Sequence, residues 1–84
     1  MHLEIITPDQ KVFEGDIKGV QVPGSKGSFE VLENHAPIIS TLEQGTVRVF
    51  DGKSNVLYTI DSGVIEVLNN NVIILAESAV KQAS

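Results

Sequence analysis

Gly52-Lys53-Ser54 has the ending of a phosphate-binding loop, in which backbone N–H groups and a lysine hold phosphate oxygens. That motif also needs a glycine five residues before the Gly-Lys pair, and a helix after it. Position 47 is Val47, and a β-type run follows instead. Asp51-Gly52 favours a turn, so the segment reads as a hairpin tip. Lys53 at such a tip also suits the acceptor lysine of a lipoyl- or biotin-carrying domain. The residue usually beside that lysine is Asp or Met, whereas here it is Gly52.

His35 is the one histidine away from the N-terminus. A metal centre needs at least three suitable ligands, and Glu33 and Asn34 beside it do not complete a set. Catalysis would need a nucleophile and an orienting acid, and no such pairing is visible. His35 therefore reads as a loop residue that braces a turn or touches a partner. His2 reads as a strand or terminal residue with no role. The carboxylates Asp9, Glu14 and Asp16, and the pair Glu30 and Glu33, have no spacing that fixes an acid–base pair. They read as solvated faces. The loop Pro23 to Gly27 holds two glycines that could approach a ligand closely.

The elements that position these residues are short β-branched runs broken by turn residues. His2 to Ile6 opens as a strand and stops at Thr7-Pro8-Asp9. Strands are expected at Val12 to Glu14, Ile17 to Val22, Ser28 to Leu32 and Ile38 to Leu42. Thr46 to Phe50 should pair with Val56 to Ile60 across residues 51 to 55. Val64 to Leu68 and Val72 to Leu75 flank Asn69-Asn70-Asn71. Asn tolerates φ > 0, so this is a hairpin tip. Ala76 to Ala83 is expected to form at most a short helical turn. So many short strands imply an all-β sandwich or barrel.

The composition sets limits. Eighty-four residues suit a single domain, read as 1 to 84. No cysteine is present, so no disulfide supports the core. Six basic residues against eleven acidic ones give −5. Nucleic acid and anionic lipid both need clustered positive charge, so neither is an expected partner. A membrane span needs about 20 apolar residues, and the run Val72 to Ala76 falls far short. The start MHLEIITPDQ lacks the features of a signal or transit peptide, so a soluble, intracellular chain is expected.

In order along the chain stand Val20-Gln21-Val22-Pro23-Gly24-Ser25-Lys26-Gly27, Asn34-His35-Ala36-Pro37-Ile38-Ile39 and Gln44-Gly45-Thr46-Val47-Arg48-Val49. Asp61-Ser62-Gly63-Val64-Ile65-Glu66-Val67 and Asn71-Val72-Ile73-Ile74-Leu75-Ala76-Glu77 follow. Together with the opening His2 to Pro8, this series resembles the N-terminal domain of the epsilon subunit of F-type ATP synthases, called delta in mitochondria. The specificity lies in His-Ala-Pro followed at the right spacing by Ser-Gly-x-Ile-Glu-Val.

The resemblance implies an all-β sandwich of two packed antiparallel sheets with about ten strands. It implies a non-catalytic central-stalk (rotor) subunit that binds gamma and the c ring and helps couple ion translocation to ATP synthesis. Carried over by position, Thr7, Ile38, Ile39, Ser40, Thr41 and Leu42 face gamma. Gly24, Ser25, Lys26, Gly27, Ser28, Glu30, Glu33 and His35 face the c ring. Ser28 stands where the family usually has Glu, and Asn34 where it usually has Gly. The C-terminal two-helix domain of most relatives is expected to be absent, and with it any nucleotide binding. No cofactor and no direct membrane insertion are expected. The implied place is the cytoplasmic face of the bacterial plasma membrane, held through the complex.

Overall fold

The computed structural model describes residues 1–82, and these form ten strands with no helix. In chain order they are β1 (His2–Ile6), β2 (Lys11–Asp16), β3 (Gly19–Val22), β4 (Phe29–Leu32) and β5 (Ile38–Leu42). Then come β6 (Gly45–Phe50), β7 (Asn55–Ile60), β8 (Gly63–Leu68), β9 (Asn71–Ala76) and β10 (Ala79–Lys81). They build two five-stranded sheets, β2-β1-β9-β8-β5 (sheet A) and β10-β7-β6-β3-β4 (sheet B). The all-β sandwich expected from the sequence is the architecture that forms.

Period-two alternation fixes which residues lie between the sheets. Leu3, Ile5, Ile65, Val67, Val72 and Ile74 from sheet A are at most 1% exposed. They pack against Val20, Val22, Val31, Val47, Val49 and Ile60 from sheet B. The core is aliphatic, as the composition requires, and no polar side chain is buried among the described residues. The largest ring in it is Tyr58, which meets Phe13 edge-on with centroids 6.2 Å apart.

Most strands differ from expectation by one or two residues at a limit, and two departures have a clear physical reason. The expected strand from Ile17 begins instead at Gly19, because residues 17 and 18 carry the chain from one sheet to the other. Ile17 N–H donates to Met1 O at 2.8 Å, on sheet A's side, and Lys18 N–H donates to Phe50 O at 2.8 Å, on sheet B's side. The expected helical turn after Ala76 does not form over the described residues, and Ala83 lies outside them. Residues Ala79–Lys81 instead pair antiparallel with Tyr58–Ile60, so the unpaired edge of β7 wins over a turn too short to be a stable helix. Every strand ladder is antiparallel except β1 with β9, which is parallel from His2↔Asn71 to Ile6↔Leu75.

The turns behave as their residues dictate. Asn69 (φ 51°) and Asn70 (φ 61°) make the two-residue tip between β8 and β9. Positive φ at both central positions is what a type I′ turn needs, and Asn adopts it readily. At the other hairpin, Asp51 Oδ1 accepts the N–H groups of Lys53 (2.8 Å) and Ser54 (3.0 Å), and Gly52 takes φ 108°. The Gly-Lys-Ser segment is thus a turn closed by its own aspartate.

Candidate interaction surfaces

The outward-facing rows of sheet A follow from its register. One row runs Thr41, Val64, Leu75, Ile6, Lys11 across β5, β8, β9, β1 and β2. The next runs Ile39, Glu66, Ile73, Glu4, Glu14. Beyond it, Leu68 stands opposite Asn71 and His2 opposite Asp16. The β5–β8–β9 half is therefore mostly apolar, with Glu66 in its middle, and open. Ile39 is 73% exposed, and Leu68 and Leu75 are 51% exposed. The β1–β2 half is charged.

Within the residues expected to face gamma, alternation divides β5. Ile39 and Thr41 point outward. Ile38 and Ser40 are half-buried on the inner side, and Leu42 is core at 4% exposure. Leu42 therefore acts through packing. Thr7 is distant in sequence but lines one depression with Thr41, Leu42, Gly63 and Leu75. The structure thus brings Thr7 to the end of β5.

The residues expected to face the c ring fall into two groups. The loop 24–28 is sewn to the C-terminal end of β5. Ser25 N–H donates to Thr41 O (3.0 Å), Thr41 Oγ1 donates to Ser25 Oγ (2.9 Å), and Gly24 bridges Leu42. A Cβ on Gly24 would stand 2.6 Å from Gly27 O, so the space this glycine frees is filled by its own loop. Lys26, Gly27 and Ser28 remain exposed, as does Glu30 on β4. The second group lies at the other end of β5. Asn34 (φ 65°) and Asn70 clasp each other: Asn34 N–H donates to Asn70 Oδ1 (2.6 Å) and Asn70 Nδ2 to Asn34 Oδ1 (3.0 Å). His35 Nδ1 donates to Ala36 O at 2.7 Å, so this histidine braces its turn. Glu33 pairs with Lys18 at 3.7 Å.

His2, read from the sequence as a strand or terminal residue, lies in β1 and gathers carboxylates around it. His2 Nε2 lies 3.0 Å from Glu14 Oε2 and 4.0 Å from Glu4 Oε1, while Nδ1 lies 3.4 Å from Asp16 Oδ1. Lys11 Nζ reaches the other carboxylate oxygens, Glu14 Oε1 at 2.8 Å and Glu4 Oε2 at 3.3 Å. Hydrogen bonds to Glu14 first, then Asp16, raise the His2 pKa above its ordinary value. Lys11 and then His2 hold Glu14 below its own. The available signal was the alternation of His2 with Glu4 and of Glu14 with Asp16 on strands joined by a short Pro-Asp turn.

Sheet B pairs polar groups across its outer face and leaves Leu32, Phe50 and Val80 exposed at its margins. Arg48 Nη2 donates to Gln21 Oε1, and Gln82 Nε2 donates to Thr59 Oγ1 at 2.7 Å. No helix among the described residues is long and apolar enough to cross a membrane.

Residues 1–82 match the family described as ATP synthase, Delta/Epsilon chain, beta-sandwich domain. The chain is 40% identical over 83 residues to the ATP synthase epsilon chain of Caulobacter vibrioides, covering 99% of this chain and 96% of that one. It is 40% identical over 82 residues to the epsilon chain of Campylobacter hominis, covering 95% of this chain and 63% of that one. In shape it is similar to a chain of the Euglena gracilis mitochondrial ATP synthase, with TM-score 0.87 and 22% identity over 94% of this chain and 51% of that one. A chain of the Tetrahymena thermophila enzyme gives TM-score 0.80 at 15% identity, covering 95% and 65%. With the sandwich in place and the match running from residue 1 to residue 82, this chain belongs to the β-sandwich family of ATP synthase delta and epsilon chains.

Proposed function

We propose that this chain is a non-catalytic rotor component of an ATP synthase, seated between the gamma subunit and the c ring. The observation that carries the reading is the match over residues 1–82 to the epsilon β-sandwich. The two structures of similar fold support it, since both are described as including a c-ring and one as including the central stalk. The role is mechanical. A sandwich with an aliphatic core is a stiff spacer, because interiors packed to crystal-like density transmit strain.

Gamma takes the open apolar half of sheet A, through Ile39 and Thr41 on β5 and the depression beside Thr7. Ile38, Ser40 and Leu42 hold that strand in place from behind. The c ring takes the exposed polar loop at Lys26, Gly27 and Ser28, where small polar residues suit contact with another polar loop. Glu30 adds charge from β4, and His35 and Glu33 shape the turn at the far end of β5. A peripheral position on the cytoplasmic face of the membrane, held through these partners, follows from the same reading.

Calorimetric titration into a gamma-containing complex from the same organism tests it. One-to-one binding, weakened at least tenfold by Ile39→Asp and unchanged by Arg48→Glu on sheet B, is the expected result. No binding to a well-folded complex would overturn the rotor reading. Equal weakening by both substitutions would discard the apolar half-face as the gamma surface.

A further inference from the structure

We propose that His2, Glu4 and Glu14 form a binding site for a divalent transition-metal ion of the zinc type, with Asp16 orienting the imidazole from its other nitrogen. The donor set is one imidazole nitrogen and two carboxylate oxygens, and these ligand atoms all lie within 4.8 Å of one another. Zinc takes such ligands at about 2.0–2.2 Å, so tetrahedral ligand atoms stand about 3.3 Å apart. His2 Nε2 is 3.0 Å from Glu14 Oε2 and 4.0 Å from Glu4 Oε1, which brackets that spacing.

The cluster has further features of a metal centre. Metal-bound histidines usually give their second ring N–H to a carboxylate, and Asp16 Oδ1 stands 3.4 Å from Nδ1. Lys11 does not compete for the inward oxygens. It holds Glu14 Oε1 and Glu4 Oε2, the opposite oxygen of each carboxylate, and so fixes both with their free oxygens toward His2. Three carboxylates and one ammonium leave a charge of −2 when His2 is neutral, which a divalent cation cancels. The ligands come from paired strands in register, Glu4↔Glu14 and His2↔Asp16, so the backbone is positioned before any ion arrives. The His2, Glu4 and Glu14 side chains are 35%, 26% and 45% exposed, which leaves an open side for water as a fourth ligand.

The test uses the full chain without a polyhistidine tag and zinc ion as the probe. Calorimetry is expected to give one zinc ion per chain. His2→Gln should abolish saturable uptake, and Asp16→Asn should weaken it about tenfold or more. Zinc should also raise the melting temperature of the parent chain and not of His2→Gln, since the site exists only when β1 and β2 are paired. Circular dichroism confirms that both variants fold. No saturable uptake, or uptake unchanged by His2→Gln, would overturn the site. Uptake that responds to His2→Gln but not to Asp16→Asn would remove Asp16 from it.

Discussion

The two outer faces of the sandwich come from strands of similar length and the same alternation, yet they ended differently. Sheet B's outer face pairs polar groups of its own, Arg48 with Gln21 and Gln82 with Thr59, and leaves Leu32, Phe50 and Val80 exposed only at its margins. Sheet A's outer face leaves Ile39, Val64, Leu68 and Leu75 to solvent on one half and gathers His2, Glu4, Lys11, Glu14 and Asp16 on the other. Folding needs only the inner faces to be apolar. An outer half-face that carries Ile39, Val64, Leu68 and Leu75 over three adjacent strands, with Glu66 among them, is one that folding did not demand, and this is where a partner is expected.

Neighbours on opposite sides of one strand give the sharpest way to break this comparison. On β9, Ile74 is fully buried and Leu75 is half exposed. Ile74→Ala should cost about 2–5 kcal/mol in urea unfolding, a large share of a small domain's stability. Leu75→Asp should change stability by about 0.5 kcal/mol or less and be read instead as lost binding to a gamma-containing complex. Similar destabilisation by both would mean that the outer face is as much a core as the inner one.

Gly63 sits where both faces meet the sheet's end. A Cβ there would stand 2.4 Å from Leu75 O, a backbone atom that cannot rotate away. Gly63→Ala should cost about 1–3 kcal/mol by overpacking and should distort the depression beside Thr7. Its unfolding midpoint checks the cost.

On sheet B, Arg48→Ala should leave stability within about 0.5 kcal/mol and leave partner binding unchanged. A loss of binding there would move the interface to the other sheet. The smallest effect concerns Asp51 in the hairpin turn of the same sheet. Backbone N–H groups of Ser54 and then Lys53 hold its carboxyl below the ordinary value. A lowered folded pKa contributes stability above the unfolded value near about 4, and that contribution is lost as pH falls through the folded value. A carbon-13 titration of the Asp51 carboxyl should show a midpoint below the ordinary aspartate value. A normal midpoint would mean the turn is not closed.

Most of the fold was legible because alternation and turn chemistry are local. His2 to Ile6 and Ile38 to Leu42 were read to the residue, and the Asn69–Asn70 tip followed from the tolerance of Asn for positive φ. What was not legible depends on pairing between distant segments. Ala79–Lys81 becomes a strand only because β7 offers it an edge. The His2 cluster exists only because the β1–β2 register sets residue 2 opposite 16 and 4 opposite 14. The direction of each β5 side chain depends on the strand's repeat in the same way. Thr41 and Ser40 are adjacent in sequence, but the twofold repeat of the strand turns one outward and the other inward.

The parallel union of β1 with β9 has a consequence for how this chain is made. β1 is an interior strand of its sheet, yet its partner on one side is residues 71–76. During synthesis the first strand emerges early and can form only its hairpin with β2. Its other edge stays bare until residues 71–76 have been made and can reach it. Sheet A therefore cannot close before β9 is available. Its completion is a late, non-local event of the kind that makes β-sandwiches slow folders, and until then the open edge of β1 is the segment most exposed to mispairing.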